Sequence, residues 1–199
     1  DENADGEEFA DMAFEYLTKN HGSAIGHFNG DENLPGKLPI QGAELCSIVE
    51  LMYSYEVIFA VTGNPKWLDR LELLAYNSLP ATLTADMWAH QYVQMVNQVA
   101  SYPMSKQPFR TNNNDAHLFG LEPNFGCCTA NFGQGFPKFA MSVFMKAEDG
   151  IAACAIAPET VNTKINGVKV SLECITDYPF KNTVRYIVKP EQEAEFTFY

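Results

Sequence analysis

Hydrophobic positions recur at the 3.6-residue period of a helix along most of the first 148 residues, and at the two-residue period of a strand after Gly150. Over 7–18, Phe9, Met12, Ala13, Tyr16 and Leu17 share helical spacing. Asp5, Glu7 and Glu8 stand near the start, where the helix dipole favours negative charge, and His21-Gly22 closes the segment. Residues 20–42 hold five glycines and two prolines and read as a long loop, a length that compact domains keep mainly for function or leave disordered. A second helix is predicted from about Ala43 to Ala60, with Leu45, Ile48, Val49, Met52, Tyr55 and Phe59 on one stripe and Thr62-Gly63 at its end. Asn64-Pro65 is a cap and first-turn pair. It opens a third helix with Trp67, Leu68, Leu71, Leu74 and Ala75 inward.

Residues 83–100 fit either period: Trp88, Tyr92, Met95, Val96 and Val99 suit a helix or an extended segment. Residues 101–126 are loop-rich, with the solvated turn Asn112-Asn113-Asn114-Asp115 in the middle. Pro137 suits the first turn of a fourth helix carrying Phe139, Ala140, Val143 and Phe144, with Gly150 beyond its end. Then strands follow. Ile151–Ile156 is an apolar run, and Val161–Ile165 and Val168–Ile175 flank Asn166-Gly167, a strong short hairpin signal. Thr183–Val188 and Glu195–Tyr199 complete the set. The chain therefore reads as mainly α to residue 148 and β from 149 to 199.

Composition narrows the partners. With 13 Lys+Arg against 25 Asp+Glu, the net charge is −12, and the first fifty residues contain only two basic side chains, Lys19 and Lys37. Nucleic-acid binding draws on cationic side chains that displace counterions from phosphate, so this balance argues against it, and against an anionic membrane surface. No run approaches ~18 uncharged apolar residues, and no Lys/Arg-led signal peptide opens the chain. Hydrophobic residues at 46% and aromatics at 13% suffice for a packed core. The acidic opening and the alternating end at Ala194–Tyr199 read as an internal piece of a longer protein, which leaves compartment and oligomeric state unread.

Five cysteines, Cys46, Cys127, Cys128, Cys154 and Cys174, make a poor disulfide framework. Cys154 and Cys174 lie in strand-like apolar stretches and read as buried small hydrophobes. Cys127-Cys128 reads as an adjacent thiol pair in a Gly-bounded loop, Asn124-Phe125-Gly126-Cys127-Cys128-Thr129-Ala130-Asn131. Soft thiolates suit zinc, which binds sulfur at ~2.3 Å in tetrahedral geometry. Glu44 and Cys46, at the start of the second helix, offer a carboxylate and a third thiolate. Spacing alone leaves buried, redox-active and metal-binding cysteines all open.

Gly42-Ala43-Glu44-Leu45-Cys46 and Phe125-Gly126-Cys127-Cys128-Thr129-Ala130-Asn131 together resemble the two signature blocks of glycoside hydrolase family 127, the β-L-arabinofuranosidase-like proteins. The resemblance implies the later portion of an (α/α)6 barrel over 1–148, followed by the first strands of a β-sandwich over 149–199. It implies a Zn2+ ion on Glu44, Cys46, Cys127 and Cys128, with Cys127 as the catalytic nucleophile. It also implies a glutamate acid/base in the preceding loop, where Glu32 is the only glutamate and Asp31 stands beside it. The interval from Glu32 to Glu44 is shorter than the family's. The implied activity is retaining hydrolysis of β-L-arabinofuranosides or related plant-wall sugars. A partial barrel leaves helix faces wet, so the isolated 199 residues are expected to be poorly soluble or inactive.

Outside those blocks, the chain mixes flat rings with amides in the way of a carbohydrate cleft. His27, His90, Tyr92 and Asn97 are the candidate sugar-binding residues, accompanied by Asn29, Trp88, Gln91 and Gln98. Core packing is the competing role for Trp88 and Tyr92, and a satisfied loop or surface position for the histidines. Two other readings of the same thiols stay open: a non-catalytic glycan-binding barrel with a structural zinc site, and a thiol redox or zinc-storage module.

Overall fold

The computed structural model describes residues 2–38, 40–106, 113–122 and 124–199, with the side chains of 2–5 outside that description. The chain is mixed α and β, and its contacts divide it into two compact units, Asp1–Phe136 and Pro137–Tyr199.

The first unit is built on α2 (Leu45–Thr62). Leu45, Ile48, Val49, Met52 and Tyr55 are all buried on its predicted stripe. Gly63, at φ 66°, ends the helix in the left-handed conformation and donates its N–H to Phe59 at 2.7 Å. By length and apolarity alone α2 could cross a membrane, but Glu50 and Glu56 interrupt it and its buried stripe belongs to the core. Helix α3 (Lys66–Leu73) starts where Asn64 Oδ1 accepts the Lys66 N–H at 3.2 Å. It runs through a π-helical turn, Leu74–Ser78, into the three-residue α4 (Leu79–Ala81). Trp67, Leu71, Leu74, Ala75 and Leu79 pack inward.

Helix α1 (Glu2–His21) is longer than predicted and turns a different face inward. The apolar stripe Phe9, Met12 and Tyr16 is 70%, 58% and 63% exposed. Phe14 is the residue that packs, against Tyr55 at 5.1 Å and edge-on to Trp67 at 5.4 Å between ring centroids. Glu7 and Asp11 reach Lys66, and Glu7 also accepts from Asn64 and the Trp67 indole. An aromatic contact backed by charge-assisted bonds outweighs a stripe of scattered apolar side chains in fixing the rotation of this helix.

Ala43 and Glu44 are not helical; they form β1, paired antiparallel with β2 (Val93–Gln94). The segment 83–100 is thus extended around Tyr92. Gly42 permits the pairing, because a Cβ there would meet Gln94 O and Val93 Cγ1 at 2.5 Å.

The Pro137 prediction is corrected by α5 (Gly126–Ser142), which begins eleven residues before Pro137 and holds it inside. Cys127 and Cys128 accordingly lie in a helix's first turn, not in a loop. Phe144, predicted on the helix, starts strand β3 (Phe144–Ala147), and Ala140 is exposed. The predicted Asn112–Asn114 turn falls partly outside the described residues; Asn113 and Asn114 are exposed.

In the second unit β3 pairs antiparallel with β4 (Gly150–Ala153), which runs parallel to β8 (Thr197–Phe198). A second sheet has the order β5 (Glu159–Ile165), β6 (Val168–Thr176), β7 (Val184–Pro190), all antiparallel. The predicted hairpin turns at Asn166 (φ 49°) and Gly167 (φ 82°), the pair of positive φ angles of a type I′ turn. Ile151, Ile165, Val170 and Leu172 form the core, with Phe144, Val161 and Phe196 against it. Cys154 and Cys174 are buried apolar residues.

Candidate metal and active site

Four chain segments of the first unit meet at the Glu44–Cys46 turn. Glu44 is extended (φ −67°, ψ 138°) and caps α2 without its side chain; the Ser47 hydroxyl donates to its backbone carbonyl at 2.8 Å. The Glu44 carboxylate is thereby left for other work. The loop before it is tied down by Glu44 N–H to Gly30 O at 2.9 Å and Gly30 N–H to Gly42 O at 2.8 Å. Tyr92 O accepts the first N–H of α2, from Leu45, at 2.9 Å.

Helix α5 supplies the other two sulfurs. Phe125 O accepts the Cys128 N–H at 3.1 Å, and Asn131 Nδ2 donates to Cys127 O at 3.2 Å. Successive helical residues diverge by about 100°, so Cys128 is fully buried while Cys127 faces solvent. His90 braces this turn: its Nδ1 lies 3.2 Å from Gln91 O, and its Nε2 lies 3.0 Å from the Thr129 hydroxyl. The Phe132 ring is 5.6 Å away.

The ligand atoms of Glu44, Cys46, Cys127 and Cys128 all lie within 4.8 Å of one another. Cys46 Sγ and Cys128 Sγ are 3.1 Å apart. A tetrahedral ion with bonds of ~2.3 Å to sulfur separates its ligands by about 3.8 Å, so the donor set has the span such an ion needs. Three sulfurs and a carboxylate are also the right chemistry, soft and anionic when deprotonated. The residues fit a divalent metal.

Without a cation, Cys46, Cys127 and Glu44 each hold their protons more tightly than they ordinarily would. The hydrogen bond with Cys128, then burial, then Glu44 push the Cys46 thiol far above the ordinary thiol range. Burial, then Cys46, raises Cys127. Burial raises the Glu44 carboxyl, its bonds to Cys46 and Tyr92 pull the other way, and the charges of Glu32 and Asp31 add to the rise.

Tyr92 links this cluster to Glu32. Its hydroxyl is 3.0 Å from Glu32 Oε1 and 3.4 Å from Glu44 Oε2, and its ring stacks on Phe125 at 3.9 Å. Burial, Glu44 and Glu32 all keep the phenol protonated, so it donates. Glu32 is exposed, and its own N–H is bonded to Asp31 Oδ1 at 2.8 Å.

The other sequence candidates sit elsewhere. His27 is 1% exposed, with Nδ1 3.1 Å from the Ser78 hydroxyl and 3.1 Å from Gln94 Nε2. Asn97 is exposed beyond β2, and Trp88 is 73% exposed. Asn29 is buried and donates to Gly36 O. Sequence reasoning named Tyr92 as a sugar contact and missed its bridge between two carboxylates; it also missed Phe125, Thr129 and Ser78. Phe125 and Thr129, both inside the second signature block, stood in positions that could have signalled their parts.

The family model for the β-L-arabinofuranosidase GH127 catalytic domain matches residues 13–141. The chain belongs to this family. Solved structures agree in fold. A GH127 β-L-arabinofuranosidase from Geobacillus stearothermophilus T6 superposes with a TM-score of 0.66 at 20% identity, over 93% of this chain and 30% of that one. A second GH127 β-arabinofuranosidase gives 0.68 at 19%, over 90% and 27%. A protein described as a glycoside hydrolase gives 0.66 at 18%, over 79% and 25%. The GH127 chain described here thus spans under a third of the length of these relatives. Among curated proteins no sequence matches it.

Proposed function

We propose that this chain is part of a retaining glycoside hydrolase acting on β-L-arabinofuranosides or related plant-wall sugars, with Cys127 as nucleophile and Glu32 as acid/base. In this reading residues 1–148 contribute the later part of an (α/α)6 barrel, and 149–199 the first strands of a β-sandwich. The observation that carries it is the convergence of Glu44, Cys46, Cys127 and Cys128 within 4.8 Å, with Glu32 one tyrosine hydroxyl away. Family membership supports the same chemistry.

Zinc, when bound by Glu44, Cys46, Cys127 and Cys128, supplies the positive charge that keeps a thiolate at neutral pH. The Cys127 sulfur attacks the anomeric carbon as the glycosidic C–O bond breaks, and Glu32 gives its proton to the departing oxygen. Water then attacks the anomeric carbon as the C–S bond breaks, Glu32 takes the water's proton, and the Cys127 sulfur leaves with the bonding pair. Cys127 also sits at the N-terminus of α5, where the helix dipole favours the thiolate.

Elemental analysis of purified protein should find about one zinc per chain. In the full-length parent protein, hydrolysis of an aryl β-L-arabinofuranoside should fall by ~10⁴ in Cys127→Ser and by ~10²–10⁴ in Glu32→Gln. Near wild-type turnover by Cys127→Ser would sink the nucleophile assignment. One zinc per chain with no turnover on any glycoside would turn the reading to a glycan-binding barrel with a structural metal.

A further inference from the structure

The second unit holds a feature that the glycosidase reading does not use. A groove of about 560 Å³ is lined by Lys146, Lys164, Lys169 and Lys189, with Glu191 as its one acidic residue. Four of the chain's 13 basic side chains thus meet at one place, in a protein of net charge −12. Strand register makes the crowding specific. Lys164 stands directly opposite Lys169 across β5 and β6, and Ser171, two residues on and on the same face, stands opposite Lys189. Like charges directly opposed on adjacent strands destabilise a sheet. Among the described residues, only Lys169 of the four has a carboxylate within ion-pairing distance, Glu191 at 3.4 Å.

The rest of the lining is mostly polar and uncharged. Asn162 and Ser171, paired across β5 and β6 on the face of Lys164 and Lys169, offer an amide and a hydroxyl, and the exposed Pro190 adds a small apolar surface. The volume falls within the range of ligand sites for small molecules. None of the lining residues is aromatic, so there is no platform for stacking bases, the usual device for single-stranded nucleic acid. The chain's overall negative charge also opposes a long polyanion.

We propose that this groove binds a short saccharide bearing carboxylates, that is, a uronate-containing oligosaccharide, with the lysines on the carboxylates and Asn162 and Ser171 on the ring hydroxyls. The preference for a saccharide among anions rests on the family reading; the site itself is independent of Cys127 and of any metal.

The test is a heteronuclear NMR titration of the full chain with trigalacturonate, alongside the same trisaccharide with its carboxylates reduced to alcohols. The expected result is saturable shifts confined to the strands carrying the four lysines, with the neutral trisaccharide binding at least tenfold more weakly. Lys164→Gln/Lys189→Gln should weaken trigalacturonate by about fivefold, the yield of two solvent-exposed charge contacts. Raising salt from about 50 to 500 mM should do the same through screening. Lys164→Arg/Lys189→Arg should restore binding, which separates lost charge from a disturbed hairpin. Equal binding of the neutral sugar, shifts outside the groove, or no saturable binding would overturn the proposal. So would tighter binding of a 12-nucleotide single strand or of phosphatidylserine vesicles. Because the readout is binding, Cys127→Ser should leave it unchanged, so failure of the hydrolase reading and failure of this one are told apart.

Discussion

Acidification should destabilise the first unit through one buried imidazole. His27 has neutral partners, Ser78 and Gln94, and burial lowers its pKa from 6.5 to about 4. The folded state therefore resists protonation that the unfolded chain accepts. Above the unfolded value of 6.5 both states are neutral and stability is unaffected. As pH falls below it the unfolded chain gains a proton first, and stability drops until the folded His27 titrates near 4. Each unit of separation is worth about 1.36 kcal/mol. From the two values the loss is about 1.4 kcal/mol at pH 5.5, about 3 kcal/mol at pH 4 and about 3.4 kcal/mol at the acid limit. Urea unfolding at pH 7, 5.5 and 4 measures the total, to which other groups contribute. His27→Gln isolates the imidazole: it costs about 1–2 kcal/mol at pH 7 through disturbed buried hydrogen bonds, yet lacks the acid-dependent part. The difference between wild type and His27→Gln should shrink with falling pH and change sign near pH 5–6. Parallel pH profiles for the two proteins would refute the reasoning.

Tyr92→Phe keeps the ring on Phe125 and removes the donor shared by Glu32 and Glu44; kcat should fall about tenfold, the worth of roughly one such bond, with KM little changed. Gly42→Ala places a methyl group 2.5 Å from Gln94 O and Val93 Cγ1, so it should cost about 2 kcal/mol or more by overpacking, read as a lower urea midpoint at unchanged slope. Metal capture must expel protons from the raised Cys46 and Cys127 thiols, so apparent zinc affinity should rise at least tenfold between pH 6.5 and 7.5, measured by competition with a chromogenic chelator. Cys46→Ala should lower zinc content and flatten that dependence.

Much of the fold could be read locally. Helix α2 and the β5–β6 hairpin carry their own signals, a continuous apolar stripe closed by Gly63 and an Asn-Gly turn. Helix α5 does not. Gly126, Gly133 and Gly135 lie within its length and Pro137 interrupts it, so propensity argues against a helix there. Tertiary packing holds it: a Cβ on Gly135 would sit 3.0 Å from Leu79 Cδ2 and 3.1 Å from Val49 Cγ2, so the small residues that weaken the helix are the ones that admit its close approach. The 83–100 segment was undecidable for the opposite reason. Its pattern suits two periods, and the choice is made by β1, some fifty residues away. The four sulfur and carboxylate ligands were legible as paired motifs. The tyrosine joining them to Glu32 was not, because nothing local marks a hydroxyl whose partners lie 48 and 60 residues upstream.

Exposure separates the three thiols in a way that bears on the proposed reaction. Cys128 is fully buried and Cys46 partly so, and these two sulfurs touch at 3.1 Å. Cys128 cannot meet a sugar carbon without opening the core. Cys127 faces solvent one residue away, yet its sulfur stays within 4.8 Å of the other ligand atoms. A side chain of that kind can be held by a metal from one side and approached by substrate from the other. A nucleophile on Cys128 would need a second conformation of α5, one that breaks the Phe125 carbonyl bond and the His90–Thr129 brace. Alkylation kinetics decide between them. Iodoacetamide should modify Cys127 first in metal-free protein, and bound zinc should slow that reaction while leaving Cys128 unmodified throughout. Faster labelling of Cys128 than of Cys127 would remove the case for Cys127 as the attacking sulfur.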